Sequence, residues 1–430
     1  MSTLKAVRGT RDLLPPETAL WHRIETTARA VFTRYNYGEI RTPVFEDTAL
    51  FARGVGEETD IVSKEMYTWE DRARAQSEKT QTLTLRPENT AGVVRAYIEH
   101  KLGETGQLQK LYYIGPQFRR ERPQKGRYRQ FSQIGAEVIG PPSSGSESPL
   151  RDAEVLEMLA TLLDELGITG WTLHINSVGS AADRARYNEV LRTALVSVAP
   201  RMCTDCQRRA VTNPLRVLDC KVPEDQPIIE TLPKIADSLD EASKQHFAAV
   251  TAALDAAGVP YTRNHRLVRG LDYYTRTTFE FTHGGLGAQN ALLGGGRYDG
   301  LSEAIGGPKA PGIGFAMGED RLVLTVMAQK ELAPPQIDAY IAPLGEAMNP
   351  AALALARELR RAGLAVELGE GSFRLKKSFE AAEKTARRIV ILGEDELASG
   401  ILTVKEFATG TQTKVPRAEL TAILAAPANA

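Results

Sequence analysis

The sequence predicts an α+β main domain on an antiparallel sheet, a helical insertion within it and a C-terminal α/β domain. Strand-like residues 111–114 and 131–139 flank a charged loop, a pattern typical of a long antiparallel hairpin. Residues 180–260 are largely helical and carry no recognisable chemical motif. After residue 336 strand and helix patterns alternate, which indicates parallel strands. Because 430 residues exceed one ordinary core, several domains are expected.

The elements of the main domain can be predicted in order along the chain. Apolar residues repeat at three- and four-residue steps over residues 17–35 and again over 151–166, so both segments are expected to be helices. Residues 37–45 form a strand pattern interrupted by Pro43, and since proline lacks an N–H group, such a strand suits a sheet edge or an interface. A strand followed by a helix is predicted over residues 312–327.

The C-terminal part alternates regularly between the two kinds of element. Strands are predicted at 337–342, 365–368 and 388–392, and helices at 350–362 and 375–385. The expected domain limits are 1–179 and 261–332 for the two parts of the main domain, 180–260 for the insertion and 336–425 for the C-terminal domain, with a linker at 332–335.

The composition indicates a globular protein that does not enter membranes. Apolar residues make up 42% of the chain and charged residues 25%, and no stretch approaches the length of an apolar transmembrane helix. The first residues lack an apolar core followed by a cleavage site, so we expect no signal peptide and a cytoplasmic location. The formal net charge of −1 excludes a uniformly basic nucleic-acid-binding chain, so any RNA must bind at local basic patches.

The chain has three cysteines, Cys203, Cys206 and Cys220. An odd number without a predicted signal peptide argues against a disulfide framework. The C-x-x-C pair and Cys220 would supply three ligands of a zinc site, which normally needs four. No fourth cysteine or histidine lies nearby in the sequence, the closest later one being His246. We therefore favour reduced structural thiols and predict no metal held by the protein, with zinc as the open alternative.

The loop inside the predicted hairpin is strongly basic. Six lysines and arginines fall in the eleven residues from Arg119 to Arg129. Guanidinium groups match phosphate and carboxylate oxygens in pairs, so the loop suits polyphosphate or RNA backbone, and Phe131 can stack on a base. A solvated charged turn is the alternative. The sequence has neither a G-x-x-x-x-G-K-[ST] loop nor a helix-opening G-x-G-x-x-G, so ATP would have to be held by arginines on the antiparallel sheet.

Three segments, in order, resemble the signatures of class II aminoacyl-tRNA synthetases. Residues 37–45 resemble motif 1, whose proline sits at the dimer interface, and Phe118-Arg119-x-Glu121 with its hairpin resembles motif 2. Residues 312–322 resemble motif 3, in which a strand leads into a helix that carries an arginine. The resemblance implies a class II synthetase-like fold, with a catalytic domain on an antiparallel sheet.

Two more segments resemble signatures specific to histidine, and they identify the chain as a member of the bacterial-type histidyl-tRNA synthetases over its whole length. The segments are residues 267–274 and 294–301, and residues 8–12 and 85–90 also fit that family. The resemblance implies ATP-dependent ligation of L-histidine to the 3′ end of tRNA-His through a histidyl-adenylate, with release of AMP and pyrophosphate. It also implies Mg²⁺ bound with ATP, without an all-protein magnesium cage.

The resemblance assigns the catalytic and ATP-binding roles. Adenylate formation builds negative charge around the α-phosphorus, and cations fixed there in advance stabilise it. Arg119 would hold the α-phosphate and the substrate carboxylate, and Arg269 would approach the α-phosphate from the opposite side. The remaining implied ATP contacts are Arg127 and Arg321 on the outer phosphates and Glu121 and Phe131 on the adenine.

The resemblance also assigns a histidine pocket. Its implied residues are Glu88, Thr90, Gln133, Glu137, Tyr273, Tyr274 and Tyr298. The first three would hold the α-ammonium group. Recognition of an imidazole ring needs polar groups aimed at both nitrogens, and by resemblance these are Glu137 and Tyr274. A carboxylate inside the apolar run 134–139 is costly without a partner, which favours a functional role for Glu137. The alternative for the tyrosines is ordinary strand aromatics.

The implied macromolecular partners are tRNA-His and a second copy of the chain in a homodimer. Arg122 and Gln124 of the basic loop are the implied tRNA contacts, and the helical insertion is expected to touch the acceptor arm. The C-terminal domain resembles an anticodon-binding domain, although a solvated helix face would have a similar charge pattern. Its basic residues are Arg374, Lys376, Lys377, Lys384, Arg387 and Arg388.

Three other functions are compatible with parts of this pattern. A class II synthetase of another specificity is disfavoured by residues 267–274. A silent paralogue, such as the regulatory subunit of the first enzyme of histidine biosynthesis, is disfavoured by Arg269 and by the C-terminal domain. An RNA-binding or sensing module would be expected to carry an additional domain, and none is visible in 430 residues.

Overall fold

The structure is a computed structural model that describes residues 3–57, 59–71, 80–124, 126–286, 290–329 and 336–426. The predicted linker at 332–335 and Lys125 of the basic loop lie outside these residues. The chain divides into two compact units, Met1–Glu331 and Leu332–Ala430, and each is described by itself.

The first unit mixes helices with strands. Its helices are α1 (Glu17–Arg34), α2 (Thr48–Val55), α3 (Thr90–Glu99), α4 (Pro149–Glu165), α5 (Ala181–Val198), α6 (Thr204–Thr212), α7 (Gln226–Glu230), α8 (Glu241–Ala257), α9 (Leu301–Ala304) and α10 (Glu319–Gln329). Its strands are β1 (Gly38–Glu39), β2 (Phe45–Asp47), β3 (Tyr67–Asp71), β4 (Gln81–Leu85), β5 (Gln109–Phe118), β6 (Gln130–Ile139), β7 (Trp171–Ser177), β8 (Thr262–Arg263), β9 (Thr275–His283), β10 (Ala291–Arg297) and β11 (Gly312–Gly318).

Within the described residues, eight strands form one sheet in the order β1-β5-β6-β11-β10-β9-β7-β8. The six central strands pair antiparallel, while β1/β5 and β7/β8 at the two edges pair parallel. The predicted hairpin is confirmed, and its strands are longer than expected, pairing from Gln109 opposite Ile139 to Phe118 opposite Gln130. The predicted antiparallel sheet is therefore the platform of this unit.

The two faces of the sheet differ because side chains alternate along each strand. On β6, Ile134, Ala136 and Val138 are buried in the main hydrophobic core, which α1, α4, α8 and α10 also build. The intervening Gln133 and Glu137 must therefore project from the opposite face. Strand pairing continues this alternation into β11 and β9, so one face is packed and the other is open for a site.

The strand predicted over residues 37–45 is divided in two. Gly38 and Glu39 pair with β5 at the edge of the main sheet, whereas β2 starts at Phe45 and joins a small sheet of order β2-β4-β3. Pro43 lies between them and has no N–H group to continue a ladder. The small sheet was not predicted, and it leaves Phe45 and Trp69 partly exposed, with ring centroids 6.1 Å apart.

The helical insertion has its own small core. The cluster runs from Val178 to Leu239 and includes Cys206 and Cys220. The last helix of the predicted 180–260 insertion does not belong to this cluster, because α8 buries Val250 and Leu254 in the main core and packs on α4. The insertion in the structure is therefore shorter than the predicted range.

The second unit is a mixed α/β domain. Its elements are β12 (Ile337–Pro343), α11 (Asn349–Arg361), β13 (Val366–Leu368), α12 (Leu375–Thr385), β14 (Ala386–Leu392), α13 (Glu394–Ser399), β15 (Ile401–Glu406), β16 (Gln412–Pro416) and α14 (Arg417–Ala425). The sheet order is β13-β12-β14-β15-β16, and the three predicted strands pair parallel. The hairpin β15/β16 extends the sheet antiparallel and was not predicted. Across the described residues of the chain, no helix is long and apolar enough to span a membrane.

Candidate active site

A cavity of about 420 Å³ lies over the open face of the main sheet. The predicted site residues that line it are Glu88, Thr90, Arg119, Glu121, Arg127, Phe131, Gln133, Arg269, Tyr273, Tyr274, Tyr298 and Arg321. Glu137 lies just beneath this lining, and Arg122 and Gln124 are exposed outside it. The cavity thus gathers residues that are separated by more than 200 positions in the sequence.

Arg269 is held over strand β10 by a carboxylate. Its Nη1 donates to Oε2 of Glu280 on β9 at 2.5 Å, and among the described residues its Nε has no hydrogen-bond partner. Glu280 was not among the predicted site residues, because an acidic residue in a strand gives no sequence signal for the arginine it will orient. The pair leaves part of the Arg269 guanidinium fork unsatisfied in the cavity.

Gly294 makes this position of Arg269 possible. A Cβ atom at residue 294 would lie 2.5 Å from Nη2 of Arg269 and 2.6 Å from its Cζ. These distances are below any normal contact, so only glycine leaves room for the guanidinium to lie flat over the strand. The glycine run of residues 294–296 is part of strand β10.

The motif 2 hairpin places two further arginines around one carboxylate. Arg127 contacts Glu121 at 3.2 Å and Arg119 approaches it at 3.8 Å. The Nε of Arg119 donates to the carbonyl of Pro87 at 2.8 Å, and its guanidinium lies 5.3 Å from the centre of the Phe131 ring. The loop is therefore organised by specific contacts, which argues against a freely solvated charged turn.

Arg321 closes the cationic side of the cavity. It lies in the first turn of α10, and its Nη1 donates to the carbonyl of Ala291 at 2.7 Å. Burial lowers the pKa of Arg321, and the positive charge of Arg127 acts in the same direction. Two arginines held near one another on one side of a cavity form a favourable site for a polyanion.

Glu137 is fully buried below the cavity. Its Oε1 accepts from the hydroxyl of Thr90 at 2.8 Å, and its Oε2 has no hydrogen-bond partner within the described part of the chain. A Cβ at Gly314 would lie 1.7 Å from Oε2, so that glycine provides the space for the carboxyl group. Burial raises the pKa of Glu137 to about 8. An unsatisfied buried oxygen of this kind is typical of a ligand-binding group.

Glu88 and Gln133 supply oxygen atoms on the same side of the cavity. The Glu88 carboxylate accepts from the backbone N–H groups of Thr90 and Ala91 at 2.8 and 3.0 Å, at the start of α3. Burial raises the pKa of Glu88. The Oε1 of Gln133 is buried and has no partner among the residues that are described. Each carboxylate oxygen of Glu88 retains a free lone pair, so both residues can accept from an ammonium group.

The three tyrosines form one aromatic cluster. Tyr273 lies 4.7 Å from Tyr274 and 5.9 Å from Tyr298, measured between ring centroids. None of them lies within a strand: the first two belong to the loop before β9, and Tyr298 follows β10. Burial raises the pKa of all three hydroxyls. The alternative of ordinary strand aromatics does not describe these positions.

Several lining residues were not predicted from the sequence. Tyr128 lines the cavity, and its ring lies 4.8 Å from the guanidinium of Arg11. Arg11 also donates to Asp320 at 2.9 Å, which fixes the N-terminal segment against the start of α10. Arg216 and Asp219 reach the cavity from the insertion. These contacts join residues that are far apart in the sequence. Of the segments involved, only residues 8–12 had been identified, by their resemblance to the family.

The C-terminal basic residues fall into two groups. Arg374, Lys376, Lys377 and Lys384 are exposed on or beside α12. Arg387 instead pairs with Asp338. Arg388 is 5% exposed, pairs with Glu406 at 3.0 Å and donates to two carbonyls at the C-terminal end of α14. The predicted cluster is thus reduced to four exposed cations, because the other two lie in strand β14 and are paired with carboxylates.

The cysteine cluster gains a fourth potential ligand. Asp225 lies with Cys203, Cys206 and Cys220, whereas His246 lies in α8 beside Asp152. Asp225 was not predicted from the sequence, because lone acidic residues are too common to indicate a metal ligand.

Comparison with known proteins agrees with this geometry. The family model described as "Histidyl-tRNA synthetase" matches residues 9–322, and the model "Anticodon binding domain" matches residues 338–426. The chain is similar to a histidine–tRNA ligase of Koribacter versatilis (strain Ellin345), with 75% identity over 97% of this chain and 95% of the relative. A histidine–tRNA ligase of Solibacter usitatus (strain Ellin6076) is 57% identical over 99% of this chain and 100% of its own length.

The chain is also similar to solved structures of histidyl-tRNA synthetases. Apo S. aureus histidyl-tRNA synthetase superimposes with a TM-score of 0.79 at 38% identity, covering 98% of this chain and 100% of that one. An ATP phosphoribosyltransferase regulatory subunit/histidyl-tRNA synthetase from Bacillus halodurans C shares the fold, with a TM-score of 0.66 at 20% identity over 91% of this chain and 99% of that one. The match of the family model over most of the chain, together with the high identity of full-length relatives, shows that the chain belongs to the histidyl-tRNA synthetase family.

Proposed function

We propose that this chain is a histidine–tRNA ligase that works in two steps at the cavity described above. In the first step L-histidine and ATP form histidyl-adenylate and pyrophosphate. In the second step the histidyl group passes to the 3′ end of tRNA-His and AMP is released. The observation that carries the proposal is the arrangement of Arg119 and Arg269 on the rim of a cavity whose floor holds the buried carboxyl group of Glu137.

The first step needs positive charge around the α-phosphorus. A carboxylate oxygen of histidine forms the new bond to phosphorus, and the bond from phosphorus to the bridging oxygen of pyrophosphate breaks. Arg119 would hold the α-phosphate and the histidine carboxylate, and Arg269 would stabilise the α-phosphate from the other side. Cations fixed in advance lower the barrier because they need no rearrangement as charge develops. Arg127 and Arg321 would hold the departing pyrophosphate.

The adenine would be held at the entrance of the hairpin. Phe131 offers an aromatic face, and Arg119 stacked near it keeps that face oriented. The carboxylate of Glu121 would accept from the exocyclic amino group, although it also contacts two arginines. Both residues lie beside the cationic side of the cavity, which suits a nucleotide lying along the sheet.

The histidine side chain would enter the buried end of the cavity. Glu88, Thr90 and Gln133 would accept from or contact the α-ammonium group. Glu137 and the imidazole would share one proton, because the raised pKa of Glu137, about 8, lies near the ordinary pKa of imidazole. Tyr274 would contact the second ring nitrogen, with Tyr273 and Tyr298 packed beside it.

Mg²⁺ would enter with ATP. The cavity contains hard oxygen donors in Glu121 and Glu280, the type of ligand that Mg²⁺ prefers, and each is already paired with arginine. Because Glu121 is assigned to the adenine, Glu280 would hold the ion partly through water, with the phosphates supplying the other ligands. The ion would neutralise phosphate charge.

The second step requires the tRNA acceptor end to reach the adenylate. A ribose hydroxyl of the terminal nucleotide attacks the histidyl carbonyl, and the bond to the phosphate oxygen of AMP breaks. Arg122 and Gln124 are exposed on the hairpin loop beside the cavity, and they would contact the acceptor end. The four exposed cations of the C-terminal domain would contact the anticodon arm.

The proposal extends to assembly, location and domain limits. Exposed apolar residues lie at the end of the motif 1 segment and on the small sheet that it enters, with Val44 at 38%, Phe45 at 51% and Trp69 at 40% exposure. We propose that a second copy covers them in a homodimer. We also propose a cytoplasmic enzyme. The insertion would comprise residues 180–240, between catalytic parts at 1–179 and 241–332, followed by the anticodon-binding domain at 336–425.

Isolation of the intermediate tests the two-step proposal. The enzyme is mixed with labelled histidine, ATP and pyrophosphatase, and the protein-bound fraction is separated from free ligands. Label bound in an ATP-dependent manner should then move to tRNA-His without further ATP. Failure to trap the label, or its transfer equally to a non-cognate tRNA, would contradict the proposal.

A further inference from the structure

The insertion contains a compact group of side chains that the ligation reaction does not use. The Sγ atoms of Cys203, Cys206 and Cys220 and a carboxylate oxygen of Asp225 all lie within 4.8 Å of one another. The sulfur atoms of Cys203 and Cys220 are 3.9 Å apart, and the sulfur of Cys220 lies 3.2 Å from Oδ2 of Asp225. These four groups therefore lie close enough together to bind one metal ion.

The spacing matches a closed tetrahedral metal site. A zinc–sulfur bond of about 2.3 Å gives a distance of roughly 3.8 Å between two sulfur ligands at tetrahedral angles. The observed 3.9 Å between Cys203 and Cys220 agrees with that distance. A disulfide would need a sulfur–sulfur distance of about 2.0 Å. The geometry therefore suits coordination better than a covalent bond between the two cysteines.

Asp225 is the second observation that points to a cation. It is 1% exposed, and within the part of the chain that the structure describes no lysine or arginine forms an ion pair with it. Its oxygens accept from the N–H of Cys203 at 3.0 and 3.2 Å and from the thiol of Cys220. Buried carboxylates are normally paired with a cation or bound to a metal. Here the neighbouring groups are three metal-binding thiols.

The backbone around the cluster is arranged as it is around bound thiolates. Cys203 is the N-cap residue of α6 and Cys206 lies in its first turn, so both residues lie at the positive end of the helix dipole. The N–H of Val222 points at the sulfur of Cys220 at 3.4 Å. Hydrogen bonds of this kind orient metal ligands and stabilise their negative charge.

We propose that Cys203, Cys206, Cys220 and Asp225 bind one structural Zn²⁺ ion. Three soft sulfur ligands in a four-coordinate site favour zinc over magnesium or calcium, which prefer oxygen. On binding, the three thiols release their protons to solvent and their sulfurs, together with one Asp225 oxygen, complete the four ligands. All four positions are filled by protein, so the site is structural and has no open position for catalysis.

The ion would stabilise a domain that is otherwise small. The core of the insertion, from Val178 to Leu239, is of a size at which hydrophobic burial alone gives little stability. Cys220 also ends the segment that carries Arg216 and Asp219 to the active-site cavity. Arg216 donates to the backbone carbonyl of Arg269 at 3.3 Å. Fixing Cys220 therefore positions a contact to the proposed catalytic arginine.

Metal analysis of the full-length chain tests the proposal directly. The chain is produced without a histidine tag, purified without chelators and analysed by mass spectrometry of the elements. We expect close to one equivalent of zinc per chain, resistant to dialysis and released when an organomercurial modifies the thiols. Replacement of zinc by Co²⁺ should give an intense sulfur-to-cobalt charge-transfer band in the near ultraviolet, which reports the thiolate ligands in the native chain.

Variants separate this site from adventitious binding. Asp225→Asn and Cys206→Ser should lose most of the zinc and unfold at a lower temperature than the parent. Asp205→Asn is the matched control, because Asp205 lies inside the same C-x-x-C segment but is 71% exposed, and it should keep the metal. Metal-free protein with three free thiols, a Cys203–Cys220 disulfide, iron in place of zinc, or zinc retained by both variants would each overturn the proposal.

Discussion

Among single residues, Arg269 is the one whose replacement should affect the chemical step most specifically. Its guanidinium is oriented by Glu280 and has an unsatisfied Nε in the cavity. Removing it with Arg269→Ala should slow histidine-dependent pyrophosphate exchange by about 10²- to 10³-fold, since a lost transition-state donor has an effect of that size. Histidine and ATP binding should change far less, because the contact strengthens as charge develops. Saturation kinetics for both substrates measure the two effects separately.

The matched control for that change is Arg263→Ala. Arg263 is an exposed arginine in the same part of the chain, outside the cavity, so its loss should leave exchange close to normal. A near-normal rate for Arg269→Ala would remove this residue from the mechanism. Equal slowing by both variants would point to a general disturbance of the fold.

Glu137→Gln should weaken histidine binding without weakening ATP binding. The carboxyl group and the imidazole share a proton in the proposed complex, and a hydrogen bond to a charged group contributes about 1.5–3 kcal/mol. The amide keeps the shape but cannot share a proton, so the apparent affinity for histidine should fall roughly 10- to 100-fold. Exchange assays titrated with each substrate test this, with the exposed Glu383→Gln as control. Unchanged histidine affinity would make Glu137 a structural residue.

The same substitution should increase the free energy of unfolding at neutral pH. Burial raises the pKa of Glu137 from 4.5 in the unfolded reference to about 8, so between these values the unfolded chain releases a proton that the folded chain keeps. Stability therefore falls as the pH rises through this window, by up to about 3 kcal/mol at pH 7. Glu137→Gln has no ionisable group at this position and avoids this loss of stability. The free energy of unfolding of the variant should therefore exceed that of the parent by an amount that grows from pH 5 to pH 8. Denaturant unfolding across that range measures the difference, and a constant difference contradicts the assignment.

The sequence patterns predicted most residues of the proposed site, but not the acidic residues that pair with or orient them. The arginines and tyrosines stand in recognisable segments, and Glu137 was conspicuous as a carboxylate in an apolar run. Glu280 and Asp225 were missed because an isolated acidic residue has no local signal, and its partner is set by tertiary folding. Arg388 shows the opposite error, since its charge suggested RNA binding while its place in a central strand buries it against Glu406.

Strand β10 shows how an element can control the position of a proposed catalytic group. Gly294→Ala would place a Cβ within 2.6 Å of the Arg269 guanidinium, the movable end of a long side chain. The chain should therefore fold normally while Arg269 shifts, and a displacement of about 1 Å can slow a reaction on the order of 10²-fold. Gly300→Ala is the control, because Gly300 lies only six residues after Gly294 and has open space around the position of its Cβ. Exchange rates and circular dichroism of both variants check this.

A normal exchange rate for Gly294→Ala would show that Arg269 does not need its position over the strand. Loss of native structure in the same variant would show that the glycine serves sheet packing instead. We therefore expect Gly294→Ala to keep the native circular dichroism spectrum and to lose exchange activity. This result differs from both of the contrary outcomes.

At the level of elements, periodicity predicted the paired strands and the long helices but not the small additions. The hairpin β5/β6 and helix α1 were predicted within a few residues because their patterns are long. The pair β15/β16 and the sheet β2-β4-β3 are built from short strands whose partners are chosen by tertiary contacts. Helix α8 was assigned to the insertion because helical periodicity says which face is apolar, but not which core will bury it.

At the scale of the whole molecule, we expect the two compact units to recognise different substrates. The first unit would bind ATP and histidine, and the second would bind the anticodon arm of the tRNA. Every proposed ATP and histidine residue precedes residue 330, in the unit Met1–Glu331. A chain ending after Pro335 should therefore still catalyse histidine-dependent exchange, while its efficiency in charging tRNA-His should fall by at least about tenfold, a loss of roughly 1.4 kcal/mol. Size-exclusion chromatography checks that the shortened chain keeps its assembly state. Equal charging efficiency for both lengths would refute the anticodon role of the second unit.

The central claim is that this cavity activates histidine and no other standard amino acid. The measurement is amino-acid-dependent exchange of labelled pyrophosphate into ATP, run on the purified chain with each standard amino acid in turn and without tRNA. The account predicts exchange with histidine alone, because only an imidazole pairs with both Glu137 and Tyr274. Exchange driven by a different amino acid, or none with histidine while the chain is folded, would contradict it.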